Sequence, residues 1–375
     1  MKKFICILCV AGLLTGCAAK SGAEAKEPET VSAEAATELE KPEEQEKTEK
    51  EILQEVLGIE AEGMDYLSAE GIQVPEGSSL AMIGKDSASG FWKQVKAGAE
   101  QATADLNESL GYTGDAKIKL IYDAPEKEDI AEQIDIIDQM LDKNPDALCI
   151  GFVDINSGKT QLELARANDI PVLAVDSGIE NSLIVSTSKT DNYQAGRKAA
   201  KELCEAIGDS GKIALLVHSS QTESGIEREK GFTEEIEQNH PDVEIVNTAY
   251  RQQDERKVDE IVAAVLQEHP DLKAYFGTND VVTKELLNAL DLQKAEETQV
   301  VAAGFDASAK LVQAIEDGRL AGVMAQNPWG MGYAAAIAAF RTMAGMETAK
   351  EIDTGYYWIS TENLSEEIVD LLTYK

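Results

Sequence analysis

Side chains that suit the binding of a hydroxyl-rich ligand follow one predicted β-strand after another in this sequence. They are the stretch GKDSASGFW (84–92) after the first strand, Asp176 and Ser177 after the fourth, His218 and Ser219 after the fifth, Asn279 and Asp280 after the seventh, Phe305 and Asp306 after the eighth, and Gln326 and Asn327 after the ninth. Carboxylate and amide oxygens accept hydrogen bonds from hydroxyl groups, arginine and amide nitrogens donate them, and aromatic rings cover the C–H faces of a sugar. These residue types predict a site for a sugar or a similar polyol.

Short apolar strands alternate with amphipathic helices from Ser79 onward, which is the pattern of repeated βαβ units on a parallel sheet. The predicted strands are 79–84, 117–122, 146–152, 171–175, 211–217, 243–247, 272–277, 299–304 and 320–325. The predicted helices include 90–107, 128–142, 191–207, 225–238, 254–268, 280–290 and 307–317. With right-handed crossovers, nine strands favour two doubly wound α/β domains over one wide sheet. Ligands of such sheets bind outside the carboxyl ends of the strands, where these polar residues lie.

Residues 329–346 form an apolar run that resembles a membrane span at first sight. The run is shorter than a bilayer requires and contains Arg341. We therefore expect a helix packed between a sheet and its neighbour.

Seven short motifs occur together in one order, and the set is much more specific than any single motif. They are Phe91-Trp92, VDSG (175–178), TDN (190–192), Arg228 shortly before Gly231-Phe232, FGTND (276–280), GFD (304–306) and AQN (325–327). By these motifs the chain resembles the type I periplasmic binding proteins, the ribose- and galactose-binding family, which share their fold with the ligand-binding core of the Lac repressor. The resemblance covers about residues 79–360.

The resemblance implies two doubly wound parallel-sheet lobes joined by three hinge crossings, with the ligand between the lobes. The N-terminal lobe is expected to comprise residues 79–190 and 327–353. The C-terminal lobe is expected to comprise residues 191–326 and 354–375.

Carried over residue by residue, the resemblance implies ligand-binding roles for positions of both lobes. They are Ser89, Phe91, Trp92, Asp176 and Ser177 in the first lobe, Arg228, Asn279, Phe305 and Asp306 in the second, and Gln326 at a crossing. The sequence departs from the ribose-binding pattern at three places, where Ser89-Gly90 replaces Asn-Pro, Ser177 replaces Arg, and Gly151-Phe152 replaces Asn-Pro. These departures place ribose itself in doubt. The calcium loop of the galactose-binding proteins has no counterpart.

Structural roles are the alternative for several of these residues. Asn279 and Asp306 each follow a strand and precede a helix, so each taken singly is explained equally well as a helix N-cap. Arg228 is also explained by exposed i,i+4 ion pairs, Trp92 by core packing, and His218 as a buried structural residue. The complete set of motifs favours ligand contact. Three scattered histidines and two distant cysteines lack metal-ligand spacing, so neither a metal nor a cofactor is predicted.

The N-terminus has the pattern of a lipoprotein signal peptide, assigned to residues 1–16. Lys2 and Lys3 precede an apolar run from Phe4 to Leu14 that is too short to span a bilayer. The residues that follow, Thr15-Gly16-Cys17, resemble a bacterial lipobox, which implies that diacylglyceryl modifies Cys17. An ordinary cleaved signal with an incidental cysteine is the alternative.

Residues 17–60 are predicted to be an acidic tether. From Ala18 to Glu60 there is no aromatic residue, and 13 Glu face 5 Lys. This composition buries too little apolar surface to offset the entropy of ordering. Apolar residues at near-helical spacing between 51 and 68 indicate a short helix that docks onto the domain. Cys149 and Cys204 lie in apolar patterns and are expected to be free, buried thiols.

Charge and motifs together favour extracytoplasmic ligand binding. Asp and Glu number 69 against 34 Lys and Arg, and the resulting net charge of −35 argues against a nucleic-acid partner. An acidic tether stands where a repressor would carry a basic helix-turn-helix. The sequence shows neither a nucleophile elbow nor a phosphate-binding loop, so an enzyme is not expected. The prediction is a monomeric, membrane-anchored protein that delivers a sugar or polyol to an ABC importer. The alternative is a binding module that presents the ligand to a sensor kinase or chemoreceptor.

Overall fold

The structure is a computed structural model that describes residues 47–293 and 300–375. The signal peptide, Cys17 and most of the predicted tether lie outside the described residues. The first element, helix α1 (Glu49–Leu57), is capped by Thr48 and Glu51 and ends at Gly58, whose φ is 64°. It buries Ile52 and Leu53. Helix α1 falls within the range 17–60 assigned to the tether and overlaps the stretch 51–68 in which a short docking helix was indicated.

A hairpin and an extended segment complete the N-terminal part of the chain. Strands β1 (Glu60–Ala61) and β2 (Met64–Asp65) pair antiparallel. Tyr66, Ile72 and Val74 are buried in the main hydrophobic core, and the Tyr66 hydroxyl accepts a hydrogen bond from the Ala349 N–H (2.7 Å). Residues 59–74 are therefore an integral part of the folded body.

The elements of the first lobe follow in alternating order. They are β3 (Ser79–Ile83), α2 (Gly90–Leu110), a 3₁₀ turn (Gly114–Ala116), β4 (Lys119–Asp123), α3 (Ile130–Asp142), β5 (Ala147–Ile150), α4 (Lys159–Ala167), β6 (Val172–Val175) and β7 (Ile184–Lys189). Those of the second lobe are α5 (Asn192–Ala206), β8 (Gly211–Val217), α6 (Glu223–Asn239), β9 (Val243–Tyr250), α7 (Val258–Glu268), β10 (Leu272–Gly277), α8 (Asp280–Leu292), β11 (Val301–Phe305), α9 (Ala309–Glu316) and β12 (Gly322–Gln326). The closing elements are α10 (Pro328–Met343), β13 (Glu351–Asp353), β14 (Tyr356–Ser360) and α11 (Glu367–Leu372).

Two six-stranded sheets form the lobes, in the orders β13-β7-β6-β5-β3-β4 and β14-β12-β11-β10-β8-β9. Neighbouring strands are parallel except β14, which runs antiparallel to β12. The chain passes between the lobes three times, after β7, after β12 and after β13. The prediction of two parallel-sheet lobes is confirmed.

Sequence reasoning missed β1, β2, β7, β13 and β14. Strand β7 alternates buried and half-buried residues and carries polar side chains, so it lacks the apolar run of an interior strand. Strand β13 has three residues and depends on pairing with β7 for its existence.

Helix α10 is the apolar run predicted at 329–346, and it packs against α2 in the first lobe. All its residues from Met331 to Phe340 are buried. The two helices approach closely because a side chain is absent at Gly98 and Gly332, where a Cβ atom would overlap the backbone of Trp329 and Val95 respectively. Among the described residues, no helix combines the length and the apolar composition needed to cross a membrane.

Candidate functional site

The carboxyl ends of the strands of both lobes face one cavity of about 60 Å³ at the boundary between the lobes. The residues that line it are Lys85, Asp86, Ser89, Phe91, Trp92, Glu128, Asp176, His218, Ser224, Arg228, Asn279, Asp280, Val281, Asp306 and Gln326. This is the position at which doubly wound sheets bind their ligands.

Trp92 forms the apolar wall of the first lobe. Ser89 caps α2 by accepting a hydrogen bond from the Trp92 N–H (3.2 Å), which places the aromatic pair in the first turn of the helix. The indole fits between the ends of β3 and β5 because Gly84 and Gly151 lack side chains; a Cβ at Gly84 would lie 2.9 Å from Trp92 Cε3. The glycine that replaces the family's Asn at position 151 therefore makes room for the ring.

An ion pair forms the polar wall of the first lobe. Lys85 Nζ lies 2.6 Å from Asp176 Oδ2 and donates a hydrogen bond to Ser177 Oγ at 2.6 Å. The Lys85 and Asp176 side chains are only 4% and 7% exposed. Removing one member of such a buried pair would leave the other charge uncompensated.

Arg228 is the central cation of the second lobe and is 2% exposed. Its Nε donates to Asn192 Oδ1 and its Nη1 donates to the Thr278 carbonyl, both at 2.8 Å. The guanidinium lies over the Phe305 ring, 3.7 Å from the centroid. These contacts leave one nitrogen of the guanidinium for other partners and hold the group in a single orientation.

Asp306 is the principal acceptor of the second lobe. Its Oδ1 accepts from Gln326 Nε2 at 2.6 Å and its Oδ2 accepts from the Asp280 N–H at 2.8 Å. Burial raises the pKa of the Asp306 carboxyl, whereas the nearby Arg228 guanidinium lowers it. Asn279 also caps α8, since its Oδ1 accepts from the Val282 N–H at 2.9 Å.

Asp176 and Asp306 occupy corresponding places in the two lobes. Each follows a central strand and adopts a positive φ, 66° and 75° respectively. The N–H of each donates to the next strand of its sheet, to the Ser188 carbonyl (2.9 Å) and the Met324 carbonyl (2.8 Å). Aspartate tolerates a left-handed backbone better than most residues other than glycine, and Asp169 and Asp209 adopt it outside the cleft as well.

His218 is buried in the second lobe with both ring nitrogens engaged. Nδ1 lies 2.8 Å from Thr278 Oγ1, and Nε2 lies 3.1 Å from Thr222 Oγ1. Burial, with Arg228 and Lys85 nearby, holds the pKa of His218 well below its ordinary value. The imidazole is therefore neutral.

The lobes are closed on each other around the cavity. Ser177 Oγ of the first lobe lies 3.0 Å from Ser224 Oγ of the second, and Lys189 Nζ lies 2.8 Å from Glu223 Oε1. The Ile155 N–H donates to the Gln221 carbonyl at 2.9 Å. Groups from both lobes are thus brought within reach of one small molecule.

Eight of the ten residues that the sequence assigned to ligand binding line the cavity: Ser89, Phe91, Trp92, Asp176, Arg228, Asn279, Asp306 and Gln326. The other two, Ser177 and Phe305, are fully buried and are not among the lining residues, so ligand contact by them stays a prediction. Each is adjacent in sequence to a lining aspartate whose backbone is left-handed, so the chain turns at the end of the strand. Ser177 supports Lys85, and Phe305 supports Arg228.

Sequence reasoning overlooked several lining residues, above all Lys85. Lys85 and Asp86 directly follow the first predicted strand, and this position is the sequence signal that indicates a site residue. Glu128 precedes α3, and nothing in its local sequence distinguishes it from other surface acids.

Two further groups lie outside the cleft. Trp329 stacks on Tyr333 with ring centroids 5.1 Å apart. Cys204, Asp209 and His240 place ligand-type atoms within 4.8 Å of one another, and His240 Nδ1 pairs with Asp209 Oδ1 at 2.9 Å. Cys149 and Cys204 are free and buried, as predicted.

Two parallel α/β lobes closed on a buried polar cavity define a hinged ligand-binding protein. The model of the periplasmic binding protein domain matches residues 80–347, so the chain belongs to that family.

Curated relatives and solved structures agree with this assignment. The ribose import binding protein of Bacillus subtilis is 27% identical over 62% of this chain and 74% of its own length. A solute-binding protein of an ABC transporter from Agrobacterium vitis, solved with bound D-fucose, is 27% identical with a TM-score of 0.70, over 79% of this chain and 100% of that chain. Another from the same species, solved with tagatopyranose, is 25% identical with a TM-score of 0.72, over 80% and 99%.

Proposed function

We propose that this protein is a lipid-anchored, extracytoplasmic solute-binding protein that captures a sugar or polyol between its lobes and delivers it to an ABC importer. The observation that carries the proposal is the cavity itself, on which Asp176 and Lys85 of one lobe face Arg228 and Asp306 of the other. The sugar-binding relatives support the same class of ligand.

The cavity favours a small, neutral ligand. At roughly 10–15 Å³ for each water-sized position, 60 Å³ corresponds to a few such positions, which suits a monosaccharide and not an oligosaccharide. Five carboxylates (Asp86, Glu128, Asp176, Asp280 and Asp306) and two cations (Lys85 and Arg228) line it. This surplus of acceptors favours hydroxyl donors and disfavours an anionic sugar.

Binding explains the polar residues of the cleft better than catalysis does. Asp176 is paired with Lys85, Asp306 already accepts two hydrogen bonds, and both nitrogens of His218 face threonine hydroxyls. A general base must take a proton from its substrate, and the protein partners of these groups oppose that, whereas a carboxylate that already accepts protein hydrogen bonds keeps lone pairs that can accept from a ligand hydroxyl. We infer that the protein is not an enzyme.

A thermal-shift panel tests the proposed ligand class. The probes are D-ribose, D-allose, D-arabinose, D-fucose, D-tagatose, D-apiose and xylitol, with D-glucuronate as the anionic control. A sugar at about 100 times its dissociation constant is expected to raise the melting temperature by about 5 °C, because it binds only the folded state. D-Glucuronate is expected to leave it unchanged. Failure of all seven neutral probes would contradict capture of a simple polyol.

Closure of the lobes is the second expected result. Asp176 and Arg228 lie on different lobes, so one ligand can contact both only in the closed form. Small-angle scattering should show a smaller radius of gyration with the best panel sugar than without it. An unchanged radius at saturation would count against a hinge mechanism.

The lipid anchor is tested by expressing Cys17→Ser in cells, because Cys17 is the proposed site of lipid attachment. Cys17 lies outside the described residues. The variant is expected to leave the membrane fraction while its folded body stays intact, because that body begins at α1. Cys9→Ser, a change inside the apolar run, is the matched control and should remain membrane-bound. Retention of Cys17→Ser to the same extent would refute the lipid anchor.

A further inference from the structure

Tyr374 is held beside Asp306 by the backbone of the second lobe. Its N–H donates to the Ala307 carbonyl at 3.1 Å, and its carbonyl accepts from the Ala309 N–H at 2.8 Å. Together these bonds make a parallel bridge with Ser308. The side chain is thereby fixed relative to the strand end that carries the principal acceptor of the cleft.

The Tyr374 ring reaches across to the first lobe. Its edge meets Phe91 with ring centroids 6.3 Å apart at 78°, and Phe91 meets Trp92 in the same manner at 5.7 Å. The approach depends on Gly90, where a Cβ would lie 2.6 Å from Tyr374 Cδ2. Because Phe91 and Tyr374 belong to different lobes, this contact requires the closed arrangement.

The Tyr374 hydroxyl is buried without a hydrogen-bond partner among the described residues. The residue is 3% exposed. Burial and the nearby Asp306 and Asp280 carboxylates hold its pKa well above the ordinary value, so the hydroxyl keeps its proton. A buried hydroxyl of this kind is costly unless a bound molecule satisfies it.

We propose that Tyr374 is a further ligand-contacting residue, whose hydroxyl hydrogen-bonds a hydroxyl group of the bound sugar or polyol and whose ring contacts Phe91 when the cleft closes. This inference rests on the proposed function. A phenol both donates and accepts, so it suits a neutral polyol placed among carboxylates that only accept.

Tyr374→Phe and Tyr275→Phe make a matched pair for the test. Tyr275 is fully buried in the core, and its hydroxyl also has no partner in the part of the chain that the structure describes. Neither tyrosine is among the residues that line the cavity, but Tyr374 contacts Phe91, which does line it, and lies near the lining residues Asp306, Asp280 and Arg228. Each of the seven neutral panel sugars is titrated into wild type and both variants by calorimetry. Melting temperatures are measured without sugar.

Tyr374→Phe is expected to weaken binding of the best panel sugar about tenfold, the effect of losing one hydrogen bond. Tyr275→Phe is expected to bind like wild type. Without sugar, neither variant should melt at a lower temperature, since each loses a hydroxyl that had no protein partner.

Three other outcomes are distinguishable. Equal affinity of Tyr374→Phe and wild type would refute ligand contact while leaving the proposed function intact. A lower melting temperature without sugar in Tyr374→Phe alone would show that the hydroxyl has a structural partner and would also refute it. If no panel sugar binds wild type, the proposed function fails and the inference fails with it.

Discussion

Arg228→Ala is expected to weaken binding of the best panel sugar by a factor of about 30 to several thousand, corresponding to about 2–5 kcal/mol for truncation of a buried, hydrogen-bonded charge. The loss is large because the guanidinium is 2% exposed and is the cation that faces Asp306. Without it, the desolvated Asp306 carboxylate has lost its compensating charge.

The geometry of the guanidinium also predicts how a conservative change behaves. Arg228→Lys keeps the positive charge but loses the planar guanidinium. That group donates hydrogen bonds to Asn192 and Thr278 and lies over the ring of Phe305. We expect it to bind more tightly than Arg228→Ala and much less tightly than wild type.

Calorimetric titration of these variants is the measurement, with circular dichroism to show that each is folded. Arg251→Ala is the matched control, because Arg251 pairs with Glu285 on the surface and is 45% exposed. Near-parental affinity of Arg228→Ala would move the ligand site away from the described cleft.

Gly332→Ala is expected to lower the free energy of unfolding by about 3 kcal/mol. In most helices, replacing glycine by alanine raises the free energy of unfolding by about 1 kcal/mol. Here we expect the same replacement to lower it. The reason is that a Cβ at position 332 would overlap the Val95 backbone carbonyl of α2, which has no rotamer through which to move away.

Urea unfolding of Gly332→Ala against wild type measures this loss. Gly178→Ala is the control: a Cβ there would lie 3.2 Å from Glu223 Oε2, the flexible end of a side chain that can shift. We expect the control to cost little. A Gly332→Ala protein as stable as wild type would mean that α2 and α10 do not pack as closely as described.

The two-lobe architecture and most of the cleft residues were predictable from sequence, because the signals for them lie in short segments of the chain. The alternation of apolar strands with amphipathic helices is a periodicity that any window of the chain displays. In parallel sheets the carboxyl ends of neighbouring strands meet at one edge, so residues that directly follow strands converge. Trp92, Asp176, Asp306 and Gln326 were identified on this basis and lie on the cavity.

Tertiary structure alone decided which side chains reach the cavity and which support them from behind. Ser177 and Phe305 each lie one residue from a lining aspartate, yet neither lines the cavity: Ser177 is buried against Lys85, and Phe305 is buried beneath the Arg228 guanidinium. Lys85 becomes a site residue through its ion pair with Asp176, 91 positions later in the chain.

The proposed ligand contact of Tyr374 also depends on tertiary structure. Its local sequence carries no signal, and its neighbours in the cleft, Phe91 and Asp306, come from distant parts of the chain. Residue types and strand ends determine which chemistry is available at the edge of each sheet. Only the closing of two lobes on each other decides which of those groups can contact the same molecule, because that choice depends on distances between segments that sequence order does not specify.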